Sequence, residues 1–138
     1  MCAAMTGEKN MDAYTTHGAF SWCELATTDV AAAKEFYAKL FGWSLRDMDM
    51  PGGKYTTAQV GETSVAGIMD VAADSPPRPP SWGCYVTVKN VDETLKLAEQ
   101  LGAKVCLPAM EIPNVGRMAV IADPQGAMLS VITYSMPT

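Results

Sequence analysis

Histidine is the scarcest functional residue in this 138-residue chain: it occurs once, as His17. A His-rich metal centre cannot be built from one imidazole, and any Ser–His or Cys–His nucleophilic pair would have to use that residue. His17 stands just before the first expected strand, where a surface or strand-entry position is its plainest role. Charge is sparse too, at 18% of residues, with 10 basic against 15 acidic side chains and a net charge of -5. No Lys/Arg cluster occurs, which argues against nucleic-acid binding by phosphate neutralisation. No apolar run approaches the roughly 20 residues of a membrane-spanning helix. Met1 to Asn10 has no apolar core behind a basic cap, so the chain reads as cytoplasmic, without a secretory signal. The four cysteines, Cys2, Cys23, Cys84 and Cys106, form no Cys-x-x-Cys pair, which excludes a zinc knuckle or a thioredoxin-type motif. Three of them lie in apolar stretches and are expected as buried free thiols of a reducing compartment.

Apolar residues, by contrast, make up 49% of the chain, enough for one domain with a real core. The chain also repeats itself. A shift of 61 positions lays Phe20–Leu40 over Ser81–Leu101, with Trp22 on Gly83, Glu24 on Tyr85 and Cys23 on Cys84; beyond the helix a shift of 63 lays Gly67 on Ser130. Each copy reads as strand, helix and three short strands. In the first copy the spacing predicts a strand over 19–26 and a helix over 29–41, capped by Thr28 or Asp29 and stopped by Gly42. Strands over 43–47, 55–60 and 64–69 follow, with Pro51-Gly52-Gly53 and Gly61-Glu62 as turns. In the second, a strand over 83–88 leads to a helix over 91–101 capped by Asn90, then strands over 104–107, 117–122 and 128–133.

The predicted fold is therefore α+β: two tandem βαβββ modules, around 17–72 and 81–138, forming a cupped, incomplete mixed β-barrel with the helices outside. Residues 1–16 form an N-terminal tail, and the Pro-rich stretch over 73–80 reads as a stiff spacer rather than a recognition motif. A single module leaves one sheet face open; two side by side leave a concave face suited to a small ligand.

The duplication, the Phe36-Tyr37 pair with Leu40-Phe41-Gly42-Trp43, and Asp123-Pro124-Gln125-Gly126 before the last strand resemble the vicinal oxygen chelate superfamily. That family includes glyoxalase I, bleomycin-resistance proteins and extradiol dioxygenases. The resemblance spans residues 17 to 134. It implies four metal-ligand positions, one on the first and one on the last strand of each module. Carried onto this chain, they are Trp22, Gly67, Gly83 and Ser130, none of which is a ligand of the required kind. The expectation is thus no metal and no cofactor, and a pocket that survives the loss of the ion. The resemblance also places the two first strands side by side, so Cys23 and Cys84 should approach each other, still reduced, on the helix-covered side.

By strand alternation Phe20, Trp22 and Glu24 share a face with Gly83 and Tyr85 of the partner strand, and with Gly67, Met69, Met128, Ser130 and Ile132. Trp22 is then either a stacking platform or a hole-filler, while Gly67 and Gly83 supply free volume. Glu24 is the candidate catalytic residue: a carboxylate desolvated beside an indole rises toward the range of a general base. Its structural alternative is an ion pair with Arg117 or Lys54. The ligand-binding candidates are Trp22, Glu24, Gly67, Gly83, Tyr85 and Ser130. Three functions stay open: a metal-free binder of a small apolar or aromatic molecule, a small-molecule enzyme based on Glu24 or a misplaced metal, and an interaction module with a vestigial cup. The expected partners are a small molecule and a second copy of the chain, because sheet edges need covering and such modules commonly pair.

Overall fold

The computed structural model describes residues 11–50, 53–74 and 78–135. The order of elements is β1 (Phe20–Thr27), α1 (Val30–Phe41), β2 (Ser44–Met50), β3 (Gly53–Val60), β4 (Thr63–Asp70), β5 (Ser81–Thr87), α2 (Val91–Gln100), β6 (Lys104–Ile112), β7 (Gly116–Ala122) and β8 (Met128–Tyr134). This is βαβββ twice over, as the duplication predicts. The strands form one mixed sheet in the order β2-β3-β4-β1-β5-β8-β7-β6, open at β2 and β6. In each half the first strand runs parallel to the last, β1 beside β4 and β5 beside β8. The halves meet at the antiparallel β1–β5 pair, where Cys23 lies opposite Cys84.

Local chemistry sets the helix limits. Asp29 caps α1 by accepting from the Ala32 N–H at 3.0 Å, and Gly42 ends it with φ 74°, a left-handed conformation that costs glycine little. Asn90 caps α2 by accepting from the Glu93 N–H at 2.9 Å. The Asp123–Gly126 motif forms the β7–β8 turn: the Asp123 carboxylate accepts from the Gln125 and Ala127 N–H groups at 3.0 and 2.9 Å. One core packs Val88, Val91, Ala119 and Val131 beneath α2. A second, formed by Tyr85, Met118 and Ile132 against Trp22 and Tyr134, belongs to the candidate site. In the first half Ile68, Ala58, Ala66 and Leu25 are buried.

The two faces of the sheet differ. The Trp82 indole donates to the Tyr37 hydroxyl of α1 at 3.1 Å, which places Trp82 on the helix side. Cys84 follows two residues later and pairs with Cys23, so both thiols share that side. Here the structure corrects the sequence reading: Cys23, Cys84 and Cys106 are all exposed rather than buried. The helices pack mainly over the outer strands, α1 on β2 and β4 and α2 on β6, β7 and β8, and α1 also reaches β5 through the Tyr37–Trp82 contact. The Pro51-Gly52 part of the first turn and residues 75–77 of the Pro-rich spacer lie outside the described residues. Among the described residues no helix is long and apolar enough to cross a membrane.

Candidate functional site

The site lies on the face opposite the helices, around the seam. Strand register brings its members together: Glu24 pairs with Gly67 on β4 and with Gly83 on β5, Trp22 pairs with Tyr85, and Tyr85 pairs with Ser130 on β8. All six candidate residues therefore converge on one patch. A bulge between Phe20 and Trp22 shifts the pairing there and leaves Phe20 exposed. Ser21, the residue inserted by that bulge, reaches the Tyr134 hydroxyl at 2.7 Å.

At the centre sits a chain of side-chain hydrogen bonds. Trp22 Nε1 donates to the Tyr55 hydroxyl at 2.9 Å, and that hydroxyl donates to Glu24 Oε2 at 2.7 Å. The Tyr85 hydroxyl donates to Glu24 Oε1 at 3.0 Å. Each carboxylate oxygen thus holds one phenol. Burial, then the negative charge of Glu24, pushes both phenols well above their ordinary range, so both stay protonated as donors. Burial also raises Tyr134, against the opposing hydrogen bond from Ser21. The alternative partners for Glu24 are engaged elsewhere or absent from its hydrogen bonds. Arg117 pairs with Asp92 and Glu111 at 3.0 and 3.1 Å, and among the described residues no lysine bonds the carboxylate.

Tyr55 is the residue that sequence reasoning missed. It explains Gly67, where a Cβ would overlap the Tyr55 hydroxyl and ring; Gly67 is the seat of a phenol and not free volume. At Gly83, by contrast, a Cβ would meet only the Glu24 carbonyl at 3.9 Å, so open space remains there. Trp22 and Glu24 are half-buried while Tyr85 is 9% exposed, so the centre is lined but not sealed. Beside it, a depression of about 340 Å³ lies between the segment around Tyr14 and the β8 end at Tyr134 and Ser135. Tyr14 and Tyr134 meet edge to face with centroids 5.0 Å apart. His17 takes no part: its Nδ1 accepts from the Lys89 N–H at 2.9 Å, a strand-entry role.

The donor set does not suit the divalent metal that the fold family implies. One carboxylate, with both oxygens engaged by phenols, stands with a serine, two glycines and an indole, and hard cations want several carboxylates or imidazoles. Among the described residues no cluster of three or more His, Cys, Asp or Glu could hold an ion.

Residues 19–131 match the family model described as Glyoxalase/Bleomycin resistance protein/Dioxygenase superfamily. The chain is 38% identical over 117 residues to the protein named "Putative glyoxylase CFP32" of Mycobacterium tuberculosis, covering 83% of this chain and 45% of that one. It is 35% identical over 127 residues to the anthracycline biosynthesis protein DnrV of Streptomyces peucetius, covering 83% of this chain and 46% of that one. It spans about half the length of these curated relatives. Among solved structures, methylmalonyl-CoA epimerase from Mycobacterium tuberculosis shares the fold with a TM-score of 0.62 at 16% identity, over 88% of this chain and 92% of that one. Duplicated topology, register and family match agree: the chain belongs to the glyoxalase/bleomycin resistance protein/dioxygenase superfamily.

Proposed function

We propose that the chain binds a small, mainly apolar or aromatic molecule on the concave face around Trp22, Glu24, Gly83, Tyr85 and Ser130, without the divalent metal usual in its family. The observation that supports this reading best is the Trp22–Tyr55–Glu24–Tyr85 chain of hydrogen bonds. It occupies the only carboxylate of the site with neutral donors and surrounds it with aromatic edges. A carboxylate has about four lone-pair positions, and the two phenols use two. A ligand carrying a hydroxyl or N–H group finds the remaining acceptors, with Trp22 and Tyr134 as apolar flanks. A carboxylate or phosphate ligand would face the Glu24 charge, which no cation among the described residues bonds, and is disfavoured. The relatives named for anthracycline biosynthesis support an aromatic ligand for this chain.

A second reading, proton transfer by Glu24, draws on the same carboxylate: a ligand that displaces one phenol would leave a desolvated oxygen beside it. The relatives named glyoxylase favour that reading. We also propose that two copies pair in solution, and the three exposed free thiols fit a reducing, cytoplasmic setting.

The test is a thermal-shift and calorimetric screen of hydroxylated planar aromatics on metal-free and metal-loaded protein. A ligand at 100 times its dissociation constant adds about 2.7 kcal/mol of stability. Binding that is equal in both forms and lost in Trp22→Ala is expected. Stoichiometric divalent metal in the purified protein that is needed for binding would overturn the reading. Turnover abolished by Glu24→Gln with binding kept would establish the second reading.

A further inference from the structure

We propose that Cys23 and Cys84 form an oxidisable dithiol that closes into a disulfide across the seam between the modules, by exchange with a low-molecular-weight disulfide. The inference is independent of what the concave face binds. Its basis is geometric. The two cysteines are direct partners on antiparallel β1 and β5. Directly opposed residues have Cα separations of ~5.5 Å or ~4.5 Å, depending on whether the pair is hydrogen-bonded. Both values fall inside the ~4.4–6.8 Å range of disulfides. Opposed residues also point to the same face, so the two thiols stand side by side. Both are free and exposed, within reach of a small reagent. The duplication places the pair on the local twofold relation between the modules, where like meets like.

The chemistry balances with one reagent. The Cys23 thiolate attacks one sulfur of the reagent disulfide; that S–S bond breaks and the first small thiolate leaves, taking up a proton. The Cys84 thiolate then attacks Cys23 Sγ and expels the second small thiolate, which is protonated in turn. The protein loses two hydrogens and the reagent becomes two thiols. Equivalent roles with Cys84 attacking first give the same product. Trp22 and Glu24 flank Cys23, and Gly83 and Tyr85 flank Cys84, all on the opposite face. The bond would staple the strands directly behind the candidate site.

The experiment treats the full chain carrying Cys2→Ser and Cys106→Ser with oxidised glutathione and maps the product by mass spectrometry without reduction. The natural chain is mapped in parallel after the same exposure, so the result does not depend on the variant folding. The expected product is lighter by about 2 Da, yields a peptide joining Cys23 to Cys84, and reverts with dithiothreitol. Cys23→Ser should stop at a mixed disulfide on Cys84, and Cys84→Ser at one on Cys23. Stable glutathione adducts on both thiols of the same chain would overturn the proposal. So would disulfides between chains, or a pair that stays unreactive while Cys106 of the natural chain reacts.

Discussion

Tyr55 ties the candidate site together, since its hydroxyl both accepts from Trp22 and donates to Glu24 above the bare backbone of Gly67. Gly67→Ala should therefore swing the phenol away and cost about 1–3 kcal/mol, the penalty of leaving part-buried polar groups without partners. In a Tyr55→Ala background the same alanine should cost almost nothing, so a double-mutant cycle by chemical denaturation should show strong coupling. Additive effects would mean that the two residues do not meet. The raised phenols add a pH signature. A group whose folded pKa exceeds its unfolded value stabilises fully below the unfolded value, the ordinary 10.0 of tyrosine, and that stability is lost as pH rises beyond it. The unfolding free energy should thus fall steeply above about pH 10, by at most about 1.4 kcal/mol per pH unit for each phenol, as read from denaturation curves. Tyr55→Phe should make the slope shallower; an unchanged slope would place the titrating group elsewhere.

Much of this site was legible in the sequence. Two-residue alternation and the repeat are enough to gather Trp22, Glu24, Gly83, Tyr85 and Ser130 on one face. Tyr55 was not legible, because β3 is separated from β1 by β4 and the phenol reaches Glu24 over a gap that only sheet curvature and ring length decide. Gly67 was the available signal: a missing side chain between strands often marks a bulky neighbour rather than a hole. Alternation likewise puts Cys23 and Cys84 on the helix side but cannot say how far the helices extend over the seam.

Among the elements, the inner strands and both helices fall within a residue or two of the positions read from sequence, the strands because their alternation is strong and the helices because Asp29, Gly42 and Asn90 fix their ends. The edge strands differ. β2 runs over Ser44–Met50 and β6 over Lys104–Ile112, each longer than the 43–47 and 104–107 read from sequence. β6 continues through Pro108, because an edge strand has a side without ladder partners and tolerates proline there. The pairing of β6 is irregular between Leu107 and Met110, where that proline sits. Helix ends follow their caps more closely than their apolar stripe. Asn90→Ala should destabilise by about 1 kcal/mol, and Asn90→Asp should hold stability, as measured by urea denaturation. An equal loss in both variants would assign the effect to packing at Val91 rather than to the cap.

At the scale of the whole molecule, the surface points to where a second copy would sit. The open edges are poor candidates: β2 carries Arg46, Asp47 and Asp49, and β6 carries Lys104, Pro108 and Glu111, devices that discourage edge-to-edge pairing. Helix α1 is different. None of its 12 residues is buried, and Phe36 and Leu40, one turn apart, are 57% and 56% exposed. Clustered exposed apolar side chains of this kind mark association surfaces. Light scattering should accordingly give twice the 14.7 kDa chain mass. Leu40→Glu should halve that mass while leaving the circular dichroism spectrum unchanged, because its side chain is exposed and outside both core clusters. A charge reversal on the β2 edge, Asp49→Lys, should leave the dimer intact. A monomeric natural chain at high micromolar concentration would defeat pairing outright, and dissociation by Asp49→Lys but not by the helix variant would move the contact to the sheet edge.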